Sequence, residues 1–209
     1  MHPSSLHDEF VAGPAGRIET SVNDPGAGRC GIALIAHPHP LHGGSKDNKV
    51  AHTLARTFFD LGYVALRPNF RGVGASEGSH DHGIGETEDL LAVAAHARAA
   101  YGALPLVLAG FSFGSFVQTR VAKRVEIERL VLVAPAVSRF ETGTVPPDTL
   151  VIHGDQDDVV PLAAVLDWAR PQNLPIVVVP GGEHFFHGRL HLLQQIIGRS
   201  CRCQRSLGG

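Results

Sequence analysis

The sequence predicts an α/β fold, with a mostly parallel central sheet flanked by helices. Three observations point there. Six apolar runs of strand length recur along the chain. Stretches with apolar residues at helical spacing lie between them. The residues that carry chemistry cluster directly after the runs, where open parallel sheets keep their ligand crevice.

In order, the runs are CGIALIA at 30–36, YVALRP at 63–68, LPLVLAG at 104–110, RLVLVA at 129–134, TLVIHG at 149–154 and PIVVVP at 175–180. They are rich in Val, Ile and Leu and do not alternate with polar residues, as strands buried on both faces of a parallel sheet require. Apolar spacing predicts helices over 46–61, 84–101 and 112–121, and shorter ones over 162–170 and 188–197. Gly62 and Gly102 stand as C-terminal stops after the first two. No repeat, low-complexity tract or linker divides the chain, so one domain over 1–209 is expected, with a core at about 16–199 and a flexible tail at 200–209.

Composition narrows the function. With 44% hydrophobic and 18% charged residues, the 209-residue chain reads as an ordinary globular protein. A net charge of −2 offers no basic footprint for nucleic acid and no polybasic patch for a membrane surface. The start, MHPSSLHDEF, lacks the basic and apolar regions of a signal peptide, and no apolar run is long enough to span a bilayer. Three cysteines, Cys30 alone and Cys201 with Cys203 near the end, do not make a disulfide framework, so a cytoplasmic location is expected. Nothing in the sequence speaks to oligomeric state.

The stretch Gly110-Phe111-Ser112-Phe113-Gly114 follows one strand-like run and opens a helix-like one. It matches G-x-S-x-G, the pattern that holds a nucleophilic serine on a sharp strand-to-helix turn. Flanking glycines relieve steric clashes there, and the following helix aims its free N–H groups at the serine. The alternative is a glycine-bounded turn with a helix-capping serine. A serine nucleophile needs a base, and the base needs an orienting acid. TLVIHGDQDDVVP places Asp155, Asp157 and Asp158 beyond one strand, and PIVVVPGGEHFFHG places His184 beyond the next. Ser, then Asp, then His is the chain order of the α/β-hydrolase triad.

With AHPHPLHGGSKDNKV, RPNFRGVGASEG, GFSFG, HGDQDDVVP and GGEHFFHG in place, the sequence resembles the α/β-hydrolase superfamily from about residue 16 to 199. Within it the chain looks like the small, lidless, dienelactone-hydrolase-like serine esterases. The resemblance implies an α/β-hydrolase fold with Ser112 as nucleophile, His184 as base and Asp157 as acid, leaving Asp155 and Asp158 as loop neighbours. It also implies that Phe185 and Phe186 pack beside the base. Dienelactone hydrolases proper use a cysteine, whereas position 112 is serine. That departure argues for ordinary ester hydrolysis.

One oxyanion donor should be the Phe113 N–H, the residue after the nucleophile. The other should come from His37-Pro38-His39-Pro40-Leu41-His42-Gly43-Gly44, in which neither proline can donate. Superposing its HP on the family's H-G-x makes His39 first choice and Leu41 second. His37, His39, His42, His80 and His82 lack the spacing of a zinc site and are expected at the mouth of the cleft, with no metal. RPNFRGVGASEG breaks the G-x-G-x-x-G fingerprint, so no nucleotide cofactor is expected, and Arg71 and Ser76 read as structural.

Between the runs ending at 134 and beginning at 149, PAVSRFETGTVPPD is too short for a helical cap. An open cleft is expected, with Val137, Phe140 and Val145 on one wall. The function that follows is cofactor-free hydrolysis of small or exposed carboxylic esters through an acyl-enzyme intermediate. Acyl transfer or peptide cleavage on the same triad is the enzymatic alternative. A non-catalytic binding protein on the same scaffold is the alternative from outside enzymology, although no triad member is missing.

Overall fold

The computed structural model describes residues 5–201. The start of the chain at 1–4 and the tail from residue 202 on, with Cys203, lie outside the described residues. Eight strands form one sheet: β1 (Ser5–Gly13), β2 (Gly16–Asp24), β3 (Gly31–Ala36), β4 (Tyr63–Pro68), β5 (Leu106–Phe111), β6 (Arg129–Val133), β7 (Leu150–Gly154) and β8 (Ile176–Val179). Their order is β1-β2-β4-β3-β5-β6-β7-β8. From β4 through β8 all neighbours are parallel; β1 and β2 pair antiparallel with each other, and β2 pairs antiparallel with β4. The fold is that of an α/β-hydrolase without a cap.

The strands explain their own composition. In β3, Ile32, Leu34 and Ala36 enter one core while Ala33 and Ile35 enter the other. In β5, Leu106 and Leu108 face the first core, and Val107, Ala109 and Phe111 the second. A period of two with apolar layers on both sides produces an unbroken apolar run.

The helices are α1 (Lys49–Asp60), α2 (Ile84–Tyr101), α3 (Phe113–Ala122), α4 (Leu162–Ala169) and α5 (Leu190–Ser200). Helices α2, α3 and α4 cover one face of the sheet, while α1 and α5 cover the other. The predicted helix at 46–61 begins later, because the Asn48 side chain caps it by accepting the Val50 and Ala51 N–H groups. Lys46 instead donates from its backbone to Asn69 Oδ1 and from Nζ to Ser21 Oγ. Helix α5 continues to Ser200 and Cys201 is buried, so these two residues belong to the packed body rather than to a tail. Cys30 is disulfide-bonded, although the sequence leads to the expectation that the three cysteines make no disulfide framework.

The N-terminal hairpin β1–β2 has no counterpart among the predicted strands. Its first strand is an exposed edge in which Phe10 and Val11 sit among charged residues, and its turn is Gly13-Pro14-Ala15-Gly16. No described helix is long and apolar enough to cross a membrane.

Candidate active site

Every predicted site residue lies just past the carboxyl end of a parallel strand. Ser112 follows β5, Asp157 follows β7, His184 follows β8, and the His39 loop follows β3. Ser112 occupies a turn with φ 55° and ψ −116°, a conformation costly to a side-chain-bearing residue. The turn is held by Ser112 N–H donating to Val133 O, and by the buried Ser115 hydroxyl reaching Gly110 O and Val133 O. Both glycines of GFSFG are sites of close backbone approach. A Cβ on Gly110 would lie 2.6 Å from Ser115 N, and one on Gly114 would lie 2.6 Å from the Ala36 carbonyl carbon. Ala134, directly after the neighbouring β6, and Phe186, two residues past His184, also have left-handed φ.

Ser112, His184 and Asp157 converge although they are far apart in the chain. The Ser112 hydroxyl stands 3.0 Å from His184 Nε2, and His184 Nδ1 stands 2.7 Å from Asp157 Oδ2. The carboxylate on Nδ1 fixes the proton there, leaving Nε2 free to accept from the serine. Asp157 Oδ1 accepts the Val159 and Val160 N–H groups at 2.9 and 2.8 Å. Burial alone would raise the Asp157 pKa, but the His184 hydrogen bond, the Val160 N–H and the nearby imidazoles outweigh it and hold the carboxyl below its ordinary range. His153 lies fully buried beneath, with Nε2 2.8 Å from Val160 O and 3.6 Å from Asp157 Oδ2. All three predicted residues are nearly buried, with Ser112 8% exposed.

The other acids of the loop do different work. Asp155 accepts the Gly181 N–H at 2.6 Å, and Asp158 is exposed. Phe185 packs its ring 5.1 Å from His184, whereas Phe186 turns into the core. His187 pairs with Glu183 at the surface, and His191 is exposed.

Of the candidate oxyanion donors, the Phe113 and His39 N–H groups meet no acceptor among the described residues. Leu41 is corrected. Its N–H donates to His39 Nδ1 at 3.2 Å as the cap of a short 3₁₀ turn, and its side chain is 69% exposed. His37 stiffens the loop from behind. Its Nδ1–H donates to Pro38 O at 2.7 Å, and Nε2 accepts the Phe70 N–H at 3.0 Å. Burial lowers its pKa to about 4, so it is neutral at pH 7. Burial, with His80 and His42 close by, also lowers His39 to about 4.

His39 stacks near His42, His80 and Phe113, with ring centroids 4.7–4.8 Å apart. His80 Nδ1 lies 2.8 Å from buried Glu86 Oε1, out of line for a hydrogen bond. No group of three possible ligands is placed to hold a metal ion among the described residues. In the glycine-rich loop, Arg71 makes a two-pronged bond to Asp89, and the Ser76 hydroxyl donates to Asn69 O and accepts from Glu19 N–H.

A cavity of about 660 Å³ opens over Ser112, lined by Pro38, His39, Asn48, Phe113, Ala136, Arg139, Phe140, Val159, Val160, His184 and Phe185 among others. Of the three predicted wall residues only Phe140 takes part. Val137 and Val145 pack instead against the core on the α2–α4 side. Asn48, Arg139, Val159 and Val160 were not anticipated. Only Val159 and Val160, between the run ending at 154 and the helix predicted from 162, stood near assigned boundaries; Asn48 fell inside the predicted helix at 46–61 and Arg139 five residues past the run ending at 134.

Comparison with known proteins fits this geometry. Residues 39–143 match the family described as serine aminopeptidase, S33 (Hydrolase_4). The chain belongs to this α/β-hydrolase family. The hydrolase is 33% identical to an uncharacterised protein of Rickettsia prowazekii (strain Madrid E) over 198 residues, covering 85% of this chain and 81% of that protein. Among solved structures it is similar to XC6422 of Xanthomonas campestris, described as an α/β serine hydrolase without a lid. The two are 38% identical with a TM-score of 0.89, over 96% of this chain and 95% of that one. It is also similar to an α/β serine hydrolase homologue of Coxiella burnetii, 39% identical with a TM-score of 0.86, over 92% and 96% of the two chains.

Proposed function

We propose that this hydrolase cleaves carboxylic esters of small or exposed acyl groups through Ser112, His184 and Asp157. The observation that carries the reading is the unbroken relay from Ser112 Oγ through His184 to Asp157, at 3.0 and 2.7 Å. Ser112 attacks the ester carbonyl as His184 Nε2 takes its proton, and Asp157 holds the imidazole and stabilises its positive form. The oxyanion receives the N–H groups of Phe113 and His39. His184 returns the proton to the leaving alcohol. Water, deprotonated by the same nitrogen, then attacks the acyl-enzyme and releases the acid. No cofactor is needed.

The family description raises peptide cleavage as a second reading. An aminopeptidase has to hold the α-ammonium of its substrate, which calls for a carboxylate in the cleft. None of the residues lining the cavity is Asp or Glu, which favours the ester. The test is labelling with a fluorophosphonate probe, followed by a screen of para-nitrophenyl esters and aminoacyl para-nitroanilides. Labelling of the wild type with turnover of short esters is expected. A folded wild type that takes no label, or one that cleaves only the anilides, would overturn the reading.

A further inference from the structure

Arg139 lies in the segment between β6 and β7 and lines the cavity over Ser112. Its backbone is pinned: the Arg139 and Phe140 N–H groups both donate to Ala136 O, at 3.0 and 3.1 Å. The Phe140 ring anchors the same turn, stacked 4.8 Å from Phe116 and edge-on to Phe113 at 5.2 Å. The guanidinium itself has no hydrogen-bond or ion-pair partner among the described residues. Arg139 is exposed where it lines the cavity, so a fork of five donors is carried there on a fixed base with no protein partner among the described residues.

The rest of the lining points the same way. Asn48 spends its oxygen on capping α1, so its amide N–H₂ group is left for the cavity. His39 is neutral. No carboxylate lines the space: Asp157 lies behind His184 and is bonded to it, and Glu141, next to Arg139, is exposed outside the lining. The cavity therefore offers charged and neutral donors against apolar walls, with no anion of its own to repel one.

Resting on the ester-hydrolysis reading, we infer that the cavity selects esters carrying a carboxylate on the part that does not react, and that Arg139 is the residue that recognises it. Guanidinium and carboxylate match in two parallel N–H···O bonds, a geometry lysine cannot reproduce.

Two pairs of esters test this. Para-nitrophenyl hemiglutarate against para-nitrophenyl valerate places the charge on the acyl side. Para-carboxyphenyl butyrate against para-carbamoylphenyl butyrate places it on the alcohol side. The wild type should favour the charged member of at least one pair, on the order of fivefold in kcat/KM for a partly solvated pair. Arg139→Gln should abolish that preference, Arg139→Lys should keep part of it, and Arg139→Glu should reverse it. Thermal melts of each variant check that it is folded. Equal rates on both members of both pairs, or a preference that survives Arg139→Gln, overturn the inference. Turnover of the neutral esters separates the two levels. If the wild type hydrolyses them without a charge preference, only the role of Arg139 falls. If it hydrolyses none of the four, the ester reading falls with it.

Discussion

Gly114 and His37 meet backbone to backbone, so that a Cβ on Gly114 would stand 2.5 Å from the His37 carbonyl oxygen. The turn that carries the serine is thereby wedged against the loop that carries the His39 N–H. Gly114→Ala must push one of them away. We expect a loss of about 2–3 kcal/mol in stability, as for an overpacked core, and a fall in kcat larger than any change in KM. Urea unfolding and steady-state kinetics on the same preparation check both.

Removal of the relay members should grade by role. Ser112→Ala and His184→Ala are expected to lower kcat by about 10⁴-fold or more, and Asp157→Asn by less than either, since it orients rather than reacts. Fluorophosphonate labelling should disappear in the first two variants. Equal, small losses in all three would mean that the relay is not the reacting unit.

Acid should weaken the fold through His37. Its folded pKa of about 4 lies below the usual 6.5. As pH falls below 6.5 the unfolded chain takes up a proton that the native state refuses, so stability present above that value drains away down to about pH 4. The full window is worth about 3 kcal/mol. Asp157, whose carboxyl is also held below its ordinary range, loses its contribution in the same direction at lower pH. Chemical unfolding at pH 7, 6 and 5 should show the decline, with a shallower slope in His37→Gln.

Cys201 should be slow to react. It is 5% exposed, and burial raises its thiol to about pKa 11. Iodoacetamide at neutral pH should leave it unmodified in the native protein and modify it in urea, as mass spectrometry of the peptide would read.

The six apolar runs were legible because each is buried on two faces, which erases alternation and leaves an unmistakable signature. The edge hairpin β1–β2 was not, because its outer strand mixes Phe10 and Val11 with Asp8 and Glu9 and is largely exposed. Ser112, Asp157 and His184 could be named because each follows such a run in a fixed order, and the structure brings them within hydrogen-bond distance. The loop was harder. Whether Leu41 or His39 has a free N–H depends on where the His39 ring turns, a tertiary matter that spacing does not encode. The cleft wall failed in a similar way. Val137 and Val145 are apolar enough to line a pocket, but they pack half-buried against the core instead, and the exposed Arg139 between them in sequence lines the cavity.

The stretch between β6 and β7, at 134–149, contains no helix and leaves the cleft uncovered. Under the proposed ester hydrolysis no cap in this stretch has to swing shut before chemistry or lift away after it, so turnover should be paced by encounter and by the two acyl steps rather than by a moving gate there. The same openness brings bulk water into the cleft above the nearly buried Ser112 and His184, where it dilutes the pull of charges at the rim. Rapid exchange of small molecules is gained at the expense of grip, and saturation should come late, at high substrate concentration.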